Sequence, residues 1–359
     1  MALKQPRFVK IAAVLWLLVV IGGGGVLARW LLREDPVPLW TEQDLPPIPG
    51  DAENGWSLIR AKGKESSHDE GVDSEVSEIL HDVTWASIQQ HAQRIRDIRQ
   101  SAEFQQDLLL IEEAIARPRF ADACPNGPEA KCPHMAVLRL HDMMELSVLA
   151  TAFSGDWERS FASAERLLRA DLDFAKSSRG MLSTMIGVEN LLDTLRLLRA
   201  LADGLATTHG TPPTQARLAN IRRLLVGDGD NEINARRAVV GEYLFVANTL
   251  RMMAVGSMRK SVTHKLFFKI LFDPPHALEL VKPYFSSLMA FAENPSEVTA
   301  PPLPRFSRVS FGWWSYNFTG KRLLDSYLLD MTPQLQKFAD DRAQFISLRE
   351  EVRMRLIAP

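Results

Sequence analysis

Residues 180–208 read GMLSTMIGVENLLDTLRLLRALADGLATT, and the spacing within them decides the class of fold. Met181, Met185, Val188, Leu192 and Leu195 recur at intervals of four, three, four and three. That is the period of one face of an α-helix, not the alternation of a strand. A helix with such a face buries it against neighbours. The C-terminal segment repeats the pattern, with Leu335, Phe338, Phe345, Leu348, Val352 and Leu356 on one face. Runs of alternating β-branched residues between hairpin turns are nearly absent, which argues against a sheet.

Working outward, the same reading predicts helices over Thr84–Gln100 and Ser101–Arg117, with Thr84 and Ser101 as N-caps and Pro118 as the stop. Further helices are predicted over His134–Ser154, Asp156–Ser178, Thr214–Val226, Asp230–Met258, Val262–Phe272, Pro275–Glu293, Lys321–Asp330 and Pro333–Ile357. The links are short, such as Gly155 and Gly227-Asp228-Gly229. Short links make neighbouring helices antiparallel. The expected fold is all-α, an antiparallel helical array filling residues 54–359 from Asn54-Gly55-Trp56 onward. The polar, acidic stretch Lys62–Ser77 reads as a solvated loop.

The N-terminus differs in kind. Ile11 to Ala28 carries no charged residue, and the apolar character resumes through Trp30, Leu31 and Leu32. About 20 apolar residues cross the hydrocarbon of a bilayer as a helix. Residues 11–32 are therefore expected to span a membrane once. The competing reading is a secretory signal cut after Val26-Leu27-Ala28. The length of the apolar run and the interfacial Trp30 favour a retained anchor. Lys4, Arg7 and Lys10 precede the span, while Arg29 and Arg33 are offset by Glu34 and Asp35. The basic bias puts residues 1–10 in the cytosol and the main domain on the far side. Residues 33–53 hold five prolines and read as a stiff linker.

Composition narrows the functional classes. Charged residues make up 24% and the formal net charge is −2. Without a basic excess or a recognition motif, nucleic acid is not an expected partner. The two cysteines, Cys124 and Cys132, lie in the loop ACPNGPEAKCP. Outside the cytosol they are expected to form a disulfide. A sharper reading adds His134 as a third metal ligand, but the cysteines are too far apart for a usual zinc pair. No metal or cofactor is expected. No HExxH, GxSxG, phosphate-binding or dinucleotide fingerprint is present.

Several residues carry chemistry if anything does. Glu242 interrupts the apolar stripe Val239, Val246, Leu250 and Met253, so it is a candidate for a buried general acid. A structural ion pair is the plainer reading. Glu189 borders another apolar stripe and ranks below it. Asp228 to Glu232 begins like a calcium loop and then fails, with Ile233 where glycine is needed and Val239 where glutamate is needed. Asp230 caps the next helix instead, and Asn317-Phe318-Thr319 is a formal glycosylation sequon.

In HKLFFKILF, Lys265 and Lys269 share one face. Phe267 and Phe268 add aromatic surface that suits a membrane interface or a half-buried helix. Trp313 and Trp314 head an aromatic segment, Arg305–Phe318, that suits a partner, a sugar or a lipid, or a satellite cluster.

Two resemblances add to this reading. LATAFSGDWERSFASAERLLRADLD resembles one tetratricopeptide helix–turn–helix, with Gly155-Asp156-Trp157 at the turn and Ser160 at the small position. No second copy follows at the expected period of about 34 residues. The segments PIPGDAENGWSLI, RPRFADACPNG, GDWERSFASAERLL and YNFTGKRLLD are similar to those of uncharacterised bacterial membrane-anchored α-helical envelope proteins. That resemblance implies a single-pass protein of the bacterial inner membrane with a periplasmic domain. It supplies no activity. Sequence therefore leads to a membrane-anchored scaffold or assembly factor whose partners are the lipid bilayer and another envelope protein. The alternative is an enzyme acting on envelope material through Glu242.

Overall fold

The computed structural model describes residues 37–62, 70–81, 83–208, 211–226, 233–257, 272–306 and 317–357. The helices are α1 (Gly55–Lys62), α2 (Glu70–Leu80), α3 (Trp85–Gln90), α4 (Ala92–Gln100), α5 (Ala102–Ile115), α6 (His134–Phe153) and α7 (Trp157–Ser177). They continue with α8 (Met181–Thr207), α9 (Gln215–Val226), α10 (Arg236–Ser257), α11 (Pro274–Glu293), α12 (Phe318–Tyr327) and α13 (Thr332–Arg355). Among the described residues there is no strand, only the isolated bridge between Asn54 and Arg119. The all-α expectation holds. Among the described residues no helix is long and apolar enough to cross a membrane, and the span expected over 11–32 lies outside them.

Helix α8 is the axis of the domain. It packs on α3, α6, α7, α10 and α13. The stripe that announced it is buried at Met181, Val188, Leu192 and Leu195, with Met185 half-buried. The stripe of α13 meets it with Leu335, Phe338, Phe345, Leu348 and Val352, all buried. Trp157, Phe161 and Phe174 of α7 are fully enclosed in the same core.

The turn between α6 and α7 shows why the local sequence folds as it does. Gly155 adopts φ +82°, a left-handed conformation that costs other residues energy. The Asp156 side chain then accepts from the Arg159 N–H at 3.1 Å and starts α7. One turn on, the Ser160 hydroxyl donates to the Val148 carbonyl at 3.0 Å, so a small polar side chain stitches the two helices together.

Other expectations change in detail. Thr84 and Ser101 do cap helices, accepting from the N–H groups of Ser87 and Phe104. The helix predicted over 84–100 breaks at His91 into α3 and α4. The stretch predicted as a solvated loop contains the start of α2, which buries Val76 and Ile79. Asp230 lies outside the described residues, and the helix that follows begins at Arg236. Asn317 is not available to a glycan. It is fully buried, accepting from the Asp273 N–H at 2.8 Å and donating to the Asp273 carbonyl at 3.0 Å.

From Leu39 the proline-bearing segment belongs to the domain. The Leu39 N–H donates to the Tyr243 hydroxyl at 2.9 Å, and Trp40 meets the Tyr243 ring edge-on. Leu45 is buried, and the Arg179 guanidinium donates to the Glu42 carboxylate and the Pro46 carbonyl.

Candidate functional site

Helix α6 is apolar nearly all round, so a charged side chain on it enters the core. His141 and Glu145 do so, while Asp142 beside them stays partly exposed. Nε2 of His141 lies 3.3 Å from Asp171 Oδ2 and 3.2 Å from Thr194 Oγ1. The Thr194 hydroxyl donates to that same Asp171 oxygen at 2.6 Å, which leaves only acceptors facing Nε2. Nε2 therefore carries a proton, and Nδ1 is the nitrogen left over. Nδ1 lies 4.0 Å from Asp142 Oδ1. Burial opposes charge on the ring, but Asp171, Glu145 and Asp142 outweigh it and push His141 up to about 10.

Glu145 is 1% exposed, and its Oε1 has no hydrogen-bond partner. Burial holds its carboxyl well above the usual range, opposed by His141 and reinforced by Asp193, Asp142 and Asp171. It lines a cleft of about 680 Å³ between α2, α6 and α8. Asp142, Glu189 and Asp193 line it as well, with Arg139 and His81 the basic groups. Arg139 donates to the buried Asp107 carboxylate at 2.9 Å, so much of its charge is already answered. The cleft is acidic on balance.

A second, smaller pocket of about 280 Å³ gathers most of the described residues that sequence had singled out. Glu242, Cys124, Cys132 and His134 all line it, together with Asp122, Asn126 and Arg179. The cysteines sit at disulfide distance, with Cα atoms 5.7 Å apart. Glu242 reaches this position because Gly241 lets α10 approach the α7–α8 corner, where a Cβ would collide with the Arg179 carbonyl. Its Oε1 accepts from the Met181 N–H at 3.1 Å. Gly180, the residue before α8, has no side chain with which to cap the helix. Glu242 supplies the cap from another helix. Burial raises its pKa and the Met181 bond lowers it, with burial the larger effect. Asp122 is occupied too, accepting from the N–H groups of Cys124 and Arg179.

His134 Nε2 and Asn126 Nδ2 are buried there without partners. Burial lowers the His134 pKa despite Asp122 nearby. One atom each from Asp122, Cys124 and His134 lies within 4.8 Å of the others. A disulfide sulfur is not a thiolate, however, and that leaves two donors.

Trp313, Trp314, Phe267 and Phe268, the expected partner surface, lie outside the described residues. The cluster that sequence reasoning missed is His141, Glu145, Asp171 and Thr194. Its one local signal was His141-Asp142-x-x-Glu145 inside an otherwise apolar helix. Comparisons with family models, curated proteins and solved structures returned no match, so the geometry alone supports a functional reading.

Proposed function

We propose that this chain is a membrane-anchored helical scaffold or assembly factor of the bacterial inner membrane. Residues 11–32 tether it, and its periplasmic domain binds another envelope protein without catalysis. The observation that carries the reading is the acidic cleft between α2, α6 and α8, of about 680 Å³. Asp142, Glu145, Glu189 and Asp193 line it with one paired arginine and one histidine, so a partner segment bearing lysine or arginine suits it. The α6–α7 hairpin fits a tetratricopeptide-like stack, whose concave faces commonly take peptides.

The test is a photo-crosslinking residue at Glu189, on the cleft, and a control at the exposed Leu329. Both are placed in the full chain in intact membranes. Capture of one envelope protein from position 189 alone, lost on Asp193→Lys, supports the reading. Equal capture from both positions, or capture insensitive to Asp193→Lys, defeats it.

One observation favours the enzyme alternative. Glu242, His134, Asp122 and Arg179 converge on a single pocket of about 280 Å³. Glu242→Gln separates the two readings. An enzyme loses its cellular phenotype while keeping its fold and its crosslinked partner, whereas a scaffold keeps all three.

A further inference from the structure

One buried carboxylate oxygen at the acidic cleft, Oε1 of Glu145, has no hydrogen-bond partner. His141 and Glu145 are four residues apart on α6, hence one helical turn apart on the same face. Asp142 flanks them. One ligand atom from each lies within 4.8 Å of the other two. We propose that His141, Asp142 and Glu145 bind a divalent transition-metal ion, with the cleft as its route of entry. The site shares Asp142 and Glu145 with the cleft of the partner reading, but the inference does not rest on that reading, because an ion can bind the purified chain with no partner present.

Three observations support the site beyond a grouping of acids. Glu145 is 1% exposed and lines the cleft, with an oxygen that no donor reaches. An unsatisfied buried carboxylate oxygen is costly, and an ion removes that cost. Second, the imidazole is already oriented. Asp171 and Thr194 hold the Nε2 proton, so the ion binds at Nδ1 and releases the second proton of the charged ring to solvent. This carboxylate–histidine arrangement is the usual outer support of a metal-bound histidine. Third, three protein donors leave a coordination position, and the cleft can supply water to it.

The donor chemistry selects the ion. One imidazole nitrogen with two carboxylates suits zinc or manganese better than copper(I), which seeks sulfur, or calcium, which seeks oxygen alone. Ligands of one tetrahedral zinc lie about 3.3 Å apart, so donor atoms that stand within 4.8 Å of one another need only small side-chain adjustments to bind it.

The experiment is a titration of the full chain, purified in detergent and stripped with chelator, using Zn²⁺ alone and then Co²⁺ alone. Zn²⁺ is followed by calorimetry and Co²⁺ by its visible absorption. The expected result is one ion per chain. Glu145→Gln and Asp142→Asn should each weaken binding about tenfold or more while circular dichroism stays unchanged. His134→Gln, in the other pocket, should leave the affinity as it was. Because Glu145 and His141 are buried, Asp142→Asn is the decisive variant if the others misfold. The proposal fails if no stoichiometric binding occurs. It also fails if folded Asp142→Asn binds as tightly as the native chain, or if His134→Gln abolishes binding.

Discussion

Glu242 caps α8 from outside its own helix, and that role sets its behaviour with pH. The folded carboxyl has a pKa above the ordinary 4.5 because it is buried, with the Met181 N–H pulling the other way. The folded chain therefore holds more protons than the unfolded chain between that value and the raised one. Stability supplied by the protonated form is complete below the ordinary value and is lost as pH rises through the folded one. Glutamine can accept the same hydrogen bond without titrating. Glu242→Gln is thus expected to gain stability relative to the native chain on going from acid toward neutrality, as read by denaturation at several pH values. A difference that is flat with pH would contradict it. Burial of this carboxylate was legible in the sequence because it interrupts an apolar stripe. Its partner was not, since a backbone N–H leaves no mark on the residue letters. The same limit hid Asp171 and Thr194, which meet His141 only once three helices are packed together.

At the scale of elements, the turns and caps carried most of the readable information. Gly155 and Asp156 define the α6–α7 hairpin, and their residue types demand it. Gly155→Ala, forced into a left-handed conformation, should cost about 1–2 kcal/mol in chemical denaturation. Asp173 makes a different kind of join. It accepts from both Nε and Nη2 of the Arg119 guanidinium near 3 Å and from the Phe120 N–H at 2.6 Å, fastening the chain after α5 to α7. Asp173→Ala strands that N–H and should cost about 1–3 kcal/mol by the same measurement. Helix α2 was misread because acidic residues dominate Glu70–Leu80 and masked its buried Val76 and Ile79. A solvated face does not exclude a helix when the opposite face is apolar.

At the scale of the molecule, the core of the described residues runs from Leu45 to Leu356, and the long helices around α8 define it. The all-α class followed from periodicity, because the core is built from long stripes whose period survives local exceptions. Which helices would adjoin α8 was not readable, since several stripes are equally apolar. The Cys124–Cys132 link closes a separation of eight residues beside the Glu242 pocket. By the loop-entropy scale such a link stabilises by about 2.5 kcal/mol. The double variant Cys124→Ser/Cys132→Ser should unfold at correspondingly lower denaturant, and the native chain in reductant should match it.

The clasp formed by Glu42, Pro46, Arg179 and Tyr243 bears on how the domain can be cut for recombinant expression. Arg179 is 4% exposed, and both acceptors of its guanidinium lie upstream of Trp56. A fragment begun at Asn54, where composition alone draws the boundary, would strand that buried cation and uncover the Tyr243 ring. Soluble, monodisperse material is expected only from fragments that begin after residue 32 and no later than Leu39.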